Sequence, residues 1–208
     1  MQMNVIKLTC FFSICLITAC APPKLSPELT IENKQLQNNA QQPAGSNLKK
    51  LATAVSSWEI SGAIAAREKT KGWSASLNWL QQGPDRYQIR LFGPLGGGTV
   101  IIEKQDGTIT YVDGPKKFSS HSADELLQQQ TGIRLPVSDL YYWVRGMPAP
   151  GSMQASQYEN THLVTFKQAG YTIDYANYTT VSGVDLPGKI QLQGHGTVIK
   201  LIIKKWRV

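Results

Sequence analysis

From Trp58 onward the chain alternates apolar and polar positions with a period of two over most of its length. Trp58, Ile60, Gly62 and Ile64 alternate with Glu59, Ser61, Ala63 and Ala65, which predicts a first strand from Trp58 to Arg67. Trp73, Ala75, Leu77 and Trp79 share one face of a second strand, and Ser74, Ser76 and Asn78 share the other. Tyr87, Ile89 and Leu91 give a third strand its apolar face, against Gln88 and Arg90. Phe92-Gly93-Pro94-Leu95-Gly96-Gly97-Gly98 then reads as a turn, because proline presets φ and glycine permits positive φ. Ile101 to Lys104 and Ile109 to Asp113 follow as strands, punctuated by Gln105-Asp106-Gly107 and Asp113-Gly114-Pro115. Trp58 to Asp113 is thus predicted to be an antiparallel meander.

The period lengthens elsewhere. Leu48, Leu51, Ala52 and Val55 fall at helical spacing behind Ser46 or Asn47 as a cap. Ser122-Ala123-Asp124-Glu125 is a capping box ahead of Leu126-Leu127, and Thr131-Gly132 ends that helix. A second short helix is predicted across Leu135 to Gly146, capped by Ser138, with Leu140, Trp143 and Val144 on one face. Gly146 and Pro148 stop it. Alternation returns in Leu163 to Lys167, Tyr171 to Tyr178, Lys189 to Gln193 and Thr197 to Val208. In the last strand, strict alternation puts Ile199, Leu201 and Ile203 on one face, and Lys200, Lys204 and Trp206 on the other. The whole is mainly β with a helical insert. A sheet of this size must curl or stack to bury its apolar face. The pattern alone is compatible with an open half-barrel, a closed barrel or a sandwich.

The N-terminus is a separate object. Leu8 to Ala19 is an almost unbroken apolar run of about a dozen residues, too short to span a bilayer and suited to a signal peptide. It ends in Ile17-Thr18-Ala19-Cys20, which resembles the lipobox of bacterial lipoproteins. That resemblance implies cleavage after residue 19 and lipid attachment at Cys20. Cys10 and Cys15 would leave with the signal, so the processed chain would carry neither thiol nor disulfide. Residues 20–45 hold Pro22, Pro23, Pro27, Pro43 and a polar tract without apolar period. They read as a flexible tether with an r.m.s. reach on the order of 25–30 Å. Residues 46–208 form one domain. The net charge of +7 favours an acidic partner or lipid headgroups, since an exported chain rarely meets nucleic acid.

No catalytic constellation emerges. His121, His162 and His195 have no metal-ligand spacing, and no Gly-x-Ser-x-Gly elbow is present. The glycines of Gly93 to Gly98 lack the lysine and hydroxyl of a phosphate cradle and join two strands. Asp124 and Glu125 are adjacent on a helix and do not face each other. The reading is a non-enzyme without cofactor or metal.

Leu95 is the odd residue, set between proline and three glycines. It either folds back under its own hairpin or is presented outward to something apolar. Trp79, then Asp85-Arg86-Tyr87, then Gly93-Pro94-Leu95-Gly96 at the next turn resemble the LolB family of outer-membrane lipoprotein receptors. Thr131-Gly132, Leu135-Pro136, Leu140 three residues before Trp143, Gly146-x-Pro148 and the closing Trp206-Arg207-Val208 extend the likeness in the same order. Gly96-Gly97-Gly98 departs from the family's turn and loosens the orientation of Leu95.

The resemblance implies an unclosed, strongly curved antiparallel half-barrel with helices on its concave side and an apolar cavity between. It implies a monomeric receptor, anchored through Cys20 at the outer membrane and facing the periplasm. Such a receptor takes lipoproteins from a LolA-like carrier, holds their acyl chains, and places them in the inner leaflet. Ala21, rather than aspartate, after Cys20 agrees with outer-membrane sorting. Trp73, Leu77, Trp79, Ile89, Leu91, Leu140, Trp143 and Val144 are the candidates for the cavity wall, and Leu95 for membrane contact. Arg67, Arg86 and Arg90 are candidates for the rim or carrier, or for plain surface ion pairs. The alternative from another class is an assembly lipoprotein that binds a partner by strand addition.

Overall fold

The computed structural model describes residues 53–94 and 97–208. The tether, Cys20 and most of the helix predicted around Leu48 lie outside them, although Thr53 and Ala54 are helical. Six strands come first: β1 (Trp58–Glu68), β2 (Lys71–Gln82), β3 (Arg86–Phe92), β4 (Thr99–Gln105), β5 (Thr108–Asp113) and β6 (Lys116–Ser120). Helices α1 (Ala123–Thr131) and α2 (Val137–Trp143) follow. The chain then returns to strands: β7 (Met153–Glu159), β8 (His162–Gln168), β9 (Tyr171–Ala176), β10 (Thr179–Val181), β11 (Val184–Leu186), β12 (Lys189–Gly194) and β13 (Thr197–Arg207).

Eleven strands form one antiparallel sheet in the order β6-β5-β4-β3-β2-β1-β13-β12-β9-β8-β7, and β10 and β11 pair as a small ribbon. Among the described residues β6 and β7 do not pair, so the sheet is a half-barrel rather than a closed one. Both ends are blunted. Edge strand β7 is exposed at every residue and meets β8 through two register shifts. Edge strand β6 opens on Lys116-Lys117. Bulges and lysines at edges are how sheets resist strand addition, which counts against the β-augmentation reading.

Hairpin chemistry sets the register. Asp106-Gly107, Ala169-Gly170, Ser182-Gly183 and His195-Gly196 each pair a first φ near 50° with a glycine at 75–78°. That is the two-residue type I′ turn, whose twist matches the flanking strands. The glycines after polar or small residues also mark Asp106-Gly107, Ala169-Gly170 and His195-Gly196 as turns in the sequence. Ser182-Gly183, with its ribbon, went unseen, as did β6 and β7, whose polar composition hides any apolar face. The strand from Tyr171 ends at Ala176, because Asn177 adopts φ 58°.

One register irregularity changes an assignment. Ser61 faces Lys205 while Gly62 faces Ile203, so β13 carries an extra residue there. The bulge flips the alternation beyond it. Trp206 therefore points inward beside Ile203, not outward with Lys200 and Lys204, and its ring lies 5.7 Å from Trp58. Gly62 makes the bulge possible, since a Cβ there would sit 1.9 Å from the Ile202 carbonyl oxygen. Gly62→Ala should cost about 2–3 kcal/mol, as for other overpacked sites. A thermal melt checks this, with an unchanged Tm counting against the bulge.

The helices cover the sheet's inner face. Ser122 caps α1, its Oγ accepting from Glu125 N at 3.3 Å, and Gly132 ends the helix at φ 73°. The second helix, Val137–Trp143, lies within the predicted Leu135 to Gly146 but does not start at a Ser138 cap. Pro136 precedes it with no side-chain cap, and Ser138 lies inside. Proline tolerates the first turn, where an N–H is spare in any case.

Candidate functional site

The inner face of the sheet is built from alternate residues of its central strands. On β2 and β3, Leu77 stands opposite Leu91 and Trp79 opposite Ile89 in register, all buried. Trp73 lies on the same face, half-buried near the end of β2. At the other end of that face, Trp79 touches Trp58 at 5.0 Å between ring centroids and Tyr87 at 6.4 Å. With Trp206 these rings make an aromatic wall across four strands. Gln81 Oε1 accepts from Trp79 Nε1 at 2.8 Å, and the Pro187 carbonyl accepts from Trp206 Nε1 at 3.1 Å. Among the described residues Trp58 Nε1 and Trp73 Nε1 meet no acceptor.

Leu140, Trp143 and Val144 approach from the helical side and are all buried. Trp143 packs edge-on against Phe166 of β8 and Tyr171 of β9. Its Nε1 donates to Gln168 Oε1 at 2.9 Å, and its carbonyl accepts from Tyr175 Oη at 2.8 Å. Trp143 is thus joined to β8 and β9, whereas Leu77, Trp79, Ile89 and Leu91 lie on β2 and β3. No ring contact links the two groups among the described residues. Leu95 lies outside those residues. The turn around it is closed by Gly93 N donating to Gly98 O at 3.0 Å and Gly97 N to Pro94 O at 3.1 Å.

A cleft of about 400 Å³ opens between the helices and strands β2 to β5. Gln81, Tyr87, Ile109, Val137, Tyr141 and Tyr142 are among its walls, and Lys104, His121 and Asp124 bring charge or polarity. None of the eight wall candidates borders it. Tyr87 is the residue that sequence reasoning had within reach, since it shares the apolar face of Ile89 and Leu91. Tyr141 was hidden because its neighbour Leu140 satisfied the helical period.

Charges sit unevenly around this interior. Arg145 is a buried guanidinium, and no carboxylate faces it among the described residues. Its Nε donates to Tyr141 O at 3.0 Å and its Nη1 to Val55 O at 2.6 Å, and its cation lies 4.1 Å from the Tyr141 ring centroid. Burial lowers its pKa. It ties α2 to the segment entering β1. Asp124 is not a cap. Its Oδ1 accepts from Val137 N at 3.1 Å and so binds the start of α2 to α1. Burial raises the Asp124 and Asp139 carboxyls above the ordinary 3.8. A carboxyl raised in the folded state binds its proton earlier there than in the unfolded chain, so these two add stability as pH falls toward their folded values. Asp185 works the other way. Hydrogen bonds from Thr180 and His162 lower it, and its contribution, present above 3.8, is lost in stronger acid. Asp124→Asn keeps the acceptor for Val137 and should raise Tm at pH 7. The gain should shrink as pH falls through the raised Asp124 value. A Tm–pH series on both forms checks this, and a gain independent of pH would contradict it.

The three histidines are spent on turns and pairs. His121 lies 3.2 Å from the Gly107 carbonyl, His195 3.0 Å from that of Ala169, and His162 2.9 Å from Asp185. Arg67, Arg86 and Arg90 are exposed on the outer face and form no ion pair among the described residues.

The family model described as "Outer membrane lipoprotein LolB" matches residues 56–206, nearly the whole of this sheet and both helices. The chain belongs to the LolB family. Similar relatives include the outer-membrane lipoprotein LolB of Coxiella burnetii (strain RSA 493 / Nine Mile phase I), 38% identical over 74% of this chain and 73% of that one. The LolB of Stutzerimonas stutzeri (strain A1501) is 40% identical over 72% of this chain and 73% of its own. Among solved structures, a LolA superfamily protein from Nitrosomonas europaea aligns over 81% of this chain and 94% of its own, with a TM-score of 0.49 at 12% identity. In this LolB-family chain the segments from Trp79 to Pro148 that carry the resemblance fall inside the matched range, and the closing Trp206-Arg207-Val208 straddles its end.

Proposed function

We propose that this chain is a lipoprotein-localisation receptor of the outer membrane and not an enzyme. It takes lipoproteins from a soluble LolA-like periplasmic carrier, holds their acyl chains against the inner face of the half-barrel, and passes them to the inner leaflet. Family membership over the whole folded domain carries this reading. The sheet supports it, because one face is lined by apolar and aromatic side chains and faces the two helices. Each CH₂ left in water costs about 0.8 kcal/mol, so acyl chains need a continuous shield between carrier and membrane. No fuel is required if this interior grips the chains more tightly than the carrier does, since a ligand shifts an exchange only by its differential affinity. Cys20 lipid holds the receptor at the membrane, and Leu95 touches the leaflet at release. Non-directional apolar contact suits cargo that shares only its lipid.

The test is transfer of a labelled lipoprotein from purified carrier to the purified chain without nucleotide. Cargo should move to the receptor and, with vesicles present, onward into lipid. Cargo that stays on the carrier would sink the reading. Added fatty acid should also shift the fluorescence of Trp73, Trp79 or Trp143.

A further inference from the structure

The outer face of the same sheet has a pattern that the receptor reading does not use. Outward residues lie in rows across the strands. Phe92, Ser76, Ala63 and Ile202 are in register on β3, β2, β1 and β13. They belong to an apolar groove of about 380 Å³ that runs to Pro94, at the turn holding Leu95. Phe92 and Ile202 are 37% and 38% exposed, and Leu80, on the same face, is 42% exposed. The rows on either side are cationic. Arg90, Asn78, Ser61 and Lys205 form one, and Lys200, Ala65 and Ser74 stand in register in the other. Lys189, opposite Ile202, closes the apolar row with a charge. None of these four cations has an ion-pair partner among the described residues. Glu59 is the only acid directed outward from β3, β2, β1, β13 or β12, and Arg207 holds it at 2.7 Å.

We infer that this face is a docking surface for the anionic headgroup layer of the membrane, with Phe92 and Ile202 entering the acyl boundary and Arg90, Lys200 and Lys205 on the phosphates. The groove's floor favours lipid over peptide. Strands β1, β2 and β13 are paired on both sides, so the floor offers no free backbone groups for an extended segment to bond. A lipid layer needs only apolar contact and cations, and both are present. Docking here would lay the Gly93–Gly98 turn against the leaflet, so the inference rests on the reading of the chain as a membrane-facing receptor.

The test uses the lipid-anchored full chain, in which Ile202→Cys supplies the one thiol open to an environment-sensitive dye. In vesicles of phosphatidylglycerol and phosphatidylcholine the dye should emit as in an apolar medium and be quenched by lipid-borne quenchers. In pure phosphatidylcholine, or at 0.5 M salt, it should emit as in water. Lys200→Glu with Lys205→Glu should lower the docked fraction at least tenfold, since each cation at an anionic surface is worth about fivefold. A dye that reports water in both vesicle types overturns the inference, as does a dye shielded only when the carrier is added. Cargo transfer is measured on the same vesicles. Docking with failed transfer sinks the receptor reading alone, and transfer without docking sinks this one alone.

Discussion

Leu95→Glu should leave folding and cargo uptake intact and slow release into membranes tenfold or more. The reasoning starts at the turn. Phe92 and Pro94 before it are exposed, as are Gly97 and Gly98 after it, so the described part of the turn holds no buried side chain for a charge to disrupt. One leucine gains only about 0.3–0.6 kcal/mol on entering hydrocarbon, whereas a charged residue there costs about 2.5–3.5 kcal/mol. The leucine is too weak to anchor anything. Its loss alone would be mild, and the charge is what repels the leaflet. The separated steps make the measurement decisive: carrier-to-receptor transfer in solution, then receptor-to-vesicle transfer. A normal second step would remove Leu95 from the mechanism. Leu95→Ala should fall between the two, and closer to the parent chain.

Trp143→Ala should be the most damaging single change to the fold, lowering stability by about 3–5 kcal/mol, as full truncation of a buried aromatic does. Trp143 is fully buried, and its ring, its indole N–H and its carbonyl all bind the sheet. For a chain of this size each kcal/mol moves Tm by about 2–4 °C, so a fall of roughly 8–15 °C is expected in a thermal melt. Trp143→Phe keeps the ring contacts and loses one hydrogen bond, at a cost near 1 kcal/mol. Gln168 would still accept from Ala149 N at 2.8 Å. If Trp143→Ala melts within 2 °C of the parent, the helix is not held through this residue.

The central strands were legible because half-buried strands show a period of two. Trp79, Ile89 and Leu91 read as one face, and they are one. The first helix was legible because a capping serine and a closing glycine have local causes. What failed had causes beyond the local sequence. Trp206 was placed outward because a bulge in β13 is set by its partner Gly62, about 140 positions earlier. Strands β6 and β7 bury almost nothing, so no apolar face marks them. Asp124, next to Glu125, reads in the sequence as part of the α1 cap, and its bond to the start of α2 has no local signal. The burial of Arg145 went unseen because nothing in its neighbourhood announces that Val55 will come to meet it.

The interval between β6 and β7 has a mechanical meaning. A closed barrel has a girth fixed by its strand number and stagger. Among the described residues no ladder crosses the seam, so twist alone could widen or narrow the wall with every strand pair kept. For the receptor proposed above, passengers of different bulk could then share one holder whose size is not set by its strand count.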